Sequence, residues 1–354
     1  MMTGQGEVGD GDGRVRWVGQ PVRRKEDRRL VQGQGTYVDD IELPGMAHAA
    51  FARCPHPHAR IVDIDPRRAL AMAGVICVLT GEEVAELTDP FPVSVRPPFN
   101  QLRDYCMAVG TAKHSGEAVA AVVAETPYLA ADAVEALDIT YDVLAPVVDP
   151  EAALEAGAPL VHEALPSNEA WSDHFEYGDA DRALAEADVV VEDDLHFHRF
   201  SSMPLETTAV IASYDVGTDV ATVWSNNQRP MLNLPFIAPP LRMSSANIRF
   251  ICPDIGGGFG IKNNSYPYLV ALVLLARKAG RPVKWVESRP EHLLASTHGN
   301  EVRFHASIGM RQDGTILGIK ARAVHDEGCY MRREPVGAIN FIRHATVGYT
   351  FRNL

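Results

Sequence analysis

The stretch Cys252-Pro253-Asp254-Ile255-Gly256-Gly257-Gly258-Phe259-Gly260-Ile261-Lys262 puts four glycines within five residues, with one aromatic among them. Ahead of it, Ile248-Arg249-Phe250-Ile251 reads as the end of a short apolar strand. Behind it, residues 266–279 form a long, mostly apolar run, with Arg277, Lys278 and Gly280 as helix stop signals. The spacing predicts a strand, a glycine turn and a buried helix whose positive end points back at the turn. Glycines expose backbone N–H groups and let an oxygen-rich ligand reach the main chain. The stretch therefore suits a phosphate, an oxo group or another anionic cofactor. It also suits a tight turn that merely packs strand on helix. Phe259 favours the first reading, because a ring held between glycines needs a surface to press against. Two phosphate motifs are excluded. G-x-G-x-x-G begun at Gly256 would need glycine at Ile261, and a P-loop would need Ser or Thr at Asn263 and glycine at Ile261.

The chain's 354 residues are enough for two domains, and 46% hydrophobic with 22% charged residues is an ordinary globular mixture. A net charge of -13 predicts a surface that repels nucleic acid and anionic membranes. No apolar run reaches membrane-spanning length, and Arg23-Arg24 and Arg28-Arg29 precede no apolar segment, so neither a membrane span nor an export signal is expected. The cysteines at 54, 77, 106, 252 and 329 are scattered without a C-x-x-C. That argues against an iron–sulfur or structural zinc site on this chain and against a disulfide framework, and fits a reducing cytoplasm.

Taken in order, residues 1–16 read as a disordered tail rich in glycine and polar residues. Residues 17–29 read as a basic segment, either a merely solvated tail or an extended arm lying on a partner or on the body of the protein. Gly33–Asp40 reads as a turn into a strand. Strands are predicted over 47–53, 59–65, 75–79, 117–124 and 138–143, with helices over 66–73 and 128–137, giving an α/β domain over 17–150. The loop His56-Pro57-His58 follows Cys54 but matches no zinc spacing. Residues 151–167 are Ala/Glu/Pro-rich and read as a linker. The second region, 168–354, holds a helix over 179–187 and strands over 189–195, 209–214, 221–225 and 283–287. A hairpin over 302–324 turns at Asp313-Gly314.

Two polar positions stand out. Gln228 lies in Asn226-Asn227-Gln228-Arg229, at the end of a strand, and can both donate and accept hydrogen bonds. It is either an ordinary loop amide or part of a polar cradle with the glycines. Glu206, in Met203-Pro204-Leu205-Glu206, sits among apolar residues and must be paired or protonated if buried.

Together, Met203-Pro204-Leu205-Glu206, Gln228, Pro253–Lys262 and Pro282-Val283-Lys284-Trp285-Val286-Glu287-Ser288-Arg289 resemble the molybdopterin-binding large subunit of the xanthine dehydrogenase and aldehyde oxidase superfamily. The aerobic carbon monoxide dehydrogenase-like branch is nearest in pattern. Gly35-x-Tyr37-x-Asp39-Asp40 and Gly116-Glu117-Ala118-Val119-Ala120 are similar to that family's N-terminal hammerhead domain. The resemblance covers about residues 14–354. It implies an α+β fold, with an N-terminal α/β hammerhead domain followed by the first part of a molybdopterin-binding α+β domain.

The resemblance further implies molybdopterin, in its cytosine dinucleotide form, carrying a molybdenum that hydroxylates a small substrate with oxygen from water. An aldehyde, an N-heterocycle and carbon monoxide are all open. Electrons would pass to an iron–sulfur subunit and then to an FAD subunit. Gly257, Gly258, Phe259 and Gly260 would line the cofactor, with Phe259 on the substrate side, and Gln228 would hydrogen-bond an oxygen on the metal. No direct metal ligand is implied on this chain. Asn263 stands where purine-oxidising members carry glutamate, which weakens a purine substrate. The family's large subunit is longer than this chain. The resemblance puts the general base, and a further half that completes the pterin site, beyond Leu354. Cys329 and Glu334 are not those later residues. The alternative is a truncated, non-catalytic fragment that binds partner subunits only.

Overall fold

The computed structural model describes residues 17–93, 97, 99–264, 266–330, 340, 344, 348–350 and 352–354. The expected N-terminal tail and Glu334 lie outside them. The strands are β1 (Ala47–Arg53), β2 (Ala59–Asp65), β3 (Val75–Thr80), β4 (Thr111–Ala112), β5 (Ala118–Ala124), β6 (Asp138–Val143), β7 (Val189–Phe197), β8 (Ala209–Asp215), β9 (Val220–Ser225), β10 (Ile248–Ile251), β11 (Val283–Val286), β12 (Glu301–Met310) and β13 (Ile316–Asp326). The helices are α1 (Asp27–Leu30), α2 (Arg67–Leu70), α3 (Gly81–Leu87), α4 (Pro127–Glu135), α5 (Ala180–Ala185), α6 (Pro230–Ile237), α7 (Tyr266–Ala279) and α8 (Arg289–Ala295).

Local chemistry explains the element ends. In α8 the Ser288 hydroxyl accepts the Glu291 N–H and the Glu291 carboxylate accepts the Ser288 N–H, a reciprocal cap. In α4, Thr126 caps the Leu129 N–H and Pro127 fills the first helical position, where no N–H is needed. Two expectations change. Gly33–Asp40 leads into a short 3-10 turn at Val38–Asp40 rather than a strand, because the Asp40 carboxylate accepts the Tyr37 N–H and closes the backbone. The helix expected over 66–73 shrinks to α2, ahead of Gly74 in the left-handed region. Helix α6 has no counterpart in the sequence reading; Pro230 sits at its start, where no N–H is needed.

Seven strands form one sheet in the order β10-β9-β8-β11-β1-β5-β3. Three of them come from residues 47–124 and four from 209–286, joined where β1 runs parallel to β11. β5 is buried at every position. Ala121 and Val123 face the large core shared with α7, where Leu269, Leu272 and Leu275 are fully buried. Ala120 and Val122 face the opposite way, toward the small cores beneath α2 and α4. A continuous apolar run covered on both faces is what a central strand requires. The remaining strands make two three-stranded sheets, β13-β12-β7 and β4-β2-β6. β12 and β13 form the predicted hairpin, with Gly314 at φ 86° in its turn.

Candidate functional site

β9 and β10 are parallel neighbours, in register from Ala221↔Ile248 to Trp224↔Ile251. The segments that follow them, Asn226–Arg229 and Cys252–Gly260, therefore leave the sheet side by side at its carboxyl end, where open sheets place ligands. Gln228 Oε1 accepts the Gly260 N–H at 3.0 Å, and the Gln228 N–H donates to the Lys262 carbonyl at 3.2 Å. A Cβ added to Gly258 would fall 2.3 Å from Gln228 Cδ. The structure thus brings Gln228, Gly257, Gly258, Phe259 and Gly260 together. Gln228 is exposed, and while its Oε1 takes the Gly260 N–H, its Nε2 makes no hydrogen bond among the described residues.

The glycine turn offers fewer donors than its composition suggests. Glu206 Oε2 accepts the Gly256 N–H at 2.7 Å, and Gln228 takes that of Gly260. Among the described residues the N–H groups of Gly257, Gly258 and Phe259 have no partner. Left-handed backbone occurs at Gly257, Phe259 and Gly260, not at Gly258. The demand for glycine at 258 is thus the close approach of Gln228 rather than φ. Phe259, at φ 47°, is a non-glycine residue in a region that costs about 1–3 kcal/mol. Its side chain is 73% exposed, yet the ring folds back over Gly257, where an added Cβ would lie 3.0 Å from the ring and 3.2 Å from Pro204. The predicted strand–turn–helix order holds with one insertion: a 3-10 turn, Ile261–Asn263, separates the glycines from α7.

Buried polar groups hold the turn in place. Lys262 is fully buried and pairs with Glu206 at 2.9 Å. Burial pushes the Lys262 ammonium pKa down, against the pull of Glu206. Glu206 Oε1 and Asn263 Oδ1 are buried without a hydrogen-bond partner among the described residues. Asn233 on α6 donates both to Asn227 Oδ1 and to the Asn263 carbonyl, each at 3.0 Å. Arg29 grips Asp254 with two hydrogen bonds of 2.5 and 2.6 Å, and Thr36 N–H adds a third at 2.9 Å. The basic arm is thereby anchored on the body just before the glycines. Sequence reading gave no signal for Arg29, Asn233 or Asp254 as supports, since each pairs with a residue far along the chain or across two loops.

Other candidates fall elsewhere. His58 is buried with Nδ1 at 3.2 Å from the Ala145 carbonyl, and His56 stands edge-on to Tyr141. Among the described residues no group of three or more His, Cys, Asp or Glu side chains is arranged to hold a metal. The Cys329 carbonyl lies 2.6 Å from His162 Nε2. The Tyr330 hydroxyl donates to Glu117, and burial raises the Tyr330 pKa well above its ordinary value.

Residues 161–354 match the family model of the molybdopterin cofactor-binding domain, and residues 32–145 match that of the aldehyde oxidase and xanthine dehydrogenase a/b hammerhead domain. The chain is 34% identical over 348 residues to the 6-hydroxypseudooxynicotine dehydrogenase complex subunit gamma of Paenarthrobacter nicotinovorans, covering 95% of this chain and 43% of that one. It is 34% identical to the carbon monoxide dehydrogenase large chain of Hydrogenophaga pseudoflava, covering 86% and 39%. It is 30% identical to the nicotinate dehydrogenase large molybdopterin subunit of Eubacterium barkeri, covering 95% and 77%. Among solved structures, quinoline 2-oxidoreductase from Pseudomonas putida 86 superposes with a TM-score of 0.79 at 33% identity, over 85% of this chain and 38% of that one.

The fold and these matches define a hammerhead domain followed by α+β molybdopterin cofactor-binding structure. The chain belongs to the xanthine dehydrogenase and aldehyde oxidase family of molybdenum enzymes. It spans about two fifths of the length of the first two relatives, 43% and 39%. No described helix is long and apolar enough to cross a membrane.

Proposed function

We propose that this chain supplies the glycine-turn half of a molybdenum hydroxylase active site, and that Gly257, Gly258, Phe259, Gly260 and Gln228 line the cofactor. The observation that carries this reading is the cluster of N–H groups at Gly257, Gly258 and Phe259, unpartnered among the described residues, beside the exposed amide of Gln228. That donor set fits the oxygen-rich end of molybdopterin, and the buried, unpartnered Glu206 Oε1 and Asn263 Oδ1 lie on residues that contact or follow the same turn. When bound, the cofactor supplies two-electron oxidation with an oxygen derived from water. The residues of this chain bind and orient it. Backbone N–H groups and Gln228 Nε2 donate to its oxygens, and the exposed Phe259 ring walls the substrate side and excludes water.

The cytosine dinucleotide form of the cofactor is part of the proposal, as are iron–sulfur and FAD partner subunits that receive the electrons. A general base worth about 10²–10⁴-fold would come from the remainder of the large subunit. That remainder is carried either by more of the same polypeptide or by a separate one. An aldehyde, an N-heterocycle and carbon monoxide stay open as substrates, with Asn263 disfavouring a purine.

The test is molybdenum per subunit in the complex purified with its partners. Gly258→Val is expected to lose the metal while the first domain stays folded. Full molybdenum in that variant would show that the turn does not touch the cofactor. A parent complex without molybdenum would instead favour a fragment that only binds partner subunits.

A further inference from the structure

The strap Ser201–Glu206 is held between the glycine turn and α8. Toward the turn, the Ser202 hydroxyl donates to the Phe259 carbonyl at 3.3 Å, and Glu206 bonds Gly256 through its own N–H at 3.2 Å and its carboxylate at 2.7 Å. Toward α8, Arg289 Nη2 donates to the carbonyls of Pro204 and Leu205 at 2.6 and 3.0 Å. His292 Nε2 lies 3.0 Å from the Ser202 carbonyl.

His292 is fully buried, and its Nδ1 lies 2.9 Å from Oε2 of Glu287, whose side chain is 1% exposed. Glu287 Oε2 also accepts the Thr208 N–H at 3.1 Å. A backbone carbonyl can only accept, so Nε2 of His292 donates to Ser202, while Nδ1 is hydrogen-bonded to Glu287 Oε2. The other charged groups around His292 are Arg289 and Glu291 on the same helix, His298 just beyond it, and the Glu206–Lys262 pair across the strap. Loss of the ring would leave the Ser202 carbonyl and the buried Glu287 carboxyl without this partner.

We propose that His292 is a positioning residue for the cofactor cradle. Its ring, seated on Glu287, fixes the Ser202 backbone through Nε2, and the Ser202 hydroxyl passes that constraint to the Phe259 carbonyl, holding Phe259 in its left-handed conformation. Left-handed non-glycine backbone persists where the surroundings over-determine it, and this relay does so. Only the identity of what is positioned rests on the cofactor reading; the relay itself is a property of the chain alone.

Two measurements on the chain without cofactor test it. In nitrogen-15 correlation spectra of histidine side chains at neutral pH, the signal missing from His292→Gln is expected to show a proton on Nε2. In hydrogen exchange, His292→Gln is expected to speed exchange over residues 202–206 and 256–262 by roughly tenfold, with β5 unchanged. Ser202→Ala removes only the last link and leaves the buried core intact. It is expected to speed exchange over 256–262 by a similar factor while the His292 signal keeps its Nε2 proton. A bare Nε2 on His292 overturns the proposal, and so does parent-like exchange over 256–262 in Ser202→Ala. If the cradle reading fails by full molybdenum retention in Gly258→Val, these two results are unaffected, so the failures are distinguishable.

Discussion

Gly258 and Phe259 are neighbours with opposite demands. Any side chain at 258 must displace Gln228, whereas Phe259 contributes a ring that leaves the backbone accessible. Phe259→Ala is expected to keep molybdenum in the assembled complex while turnover falls, because only the wall toward substrate is lost. Unchanged turnover with metal in place would remove Phe259 from the substrate side. Asp254 carries a separate, pH-dependent role. Arg29 and the Thr36 N–H hold its carboxyl down to about 2. In the unfolded chain an aspartate titrates near about 3.9. A depressed folded value means that the unfolded state takes up the proton first, so the contribution is complete above about pH 4 and is lost as pH falls toward 2. Hydrogen exchange of residues 27–36 should accelerate across that acid window in the parent, and Asp254→Asn should show no such step.

At the scale of elements, the glycine turn is held by the loops that flank it rather than by the sheet. Glu206 serves both the Gly256 N–H and the buried Lys262 ammonium. Glu206→Gln leaves a fully buried cation without its counter-ion, and loss of one partner of a buried pair costs about 3 kcal/mol or more. Lys262→Met is expected to cost less, since Glu206 keeps its backbone donor and some access to solvent. Thermal unfolding of the two variants checks the order, and a larger drop in Tm for Lys262→Met would contradict it.

At the scale of the whole molecule, the sheet β13-β12-β7 ends at β7, whose nine residues are all exposed. Val189, Val191, Leu195 and Phe197 alternate onto one face, broken by Asp193, and Phe197 is 60% exposed. An exposed apolar edge strand invites pairing with another chain. The isolated chain is therefore expected to self-associate in sedimentation, and Leu195→Lys with Phe197→Lys should shift it toward monomer without lowering Tm. A monodisperse parent monomer, or association untouched by the double substitution, would count against this face.

Elements whose signals are short-ranged are legible from the residues alone. The fully apolar run of β5, the long helix α7, the Asp313-Gly314 hairpin and the glycine turn with its Phe all follow from periodicity and turn chemistry within a few residues. The sequence also carried the family resemblance and the five residues of the candidate cradle. Only the tertiary structure decided how these pieces meet. Parallel pairing of β9 with β10 brings Gln228 onto the Gly260 N–H, 32 residues away. Arg29 reaches Asp254 across 225 residues and His292 reaches Ser202 across 90. β1 joins β11 so that one sheet spans both regions of the chain. Such contacts depend on strand order and on which polar groups burial forces into partnership, and neither leaves a local pattern to read.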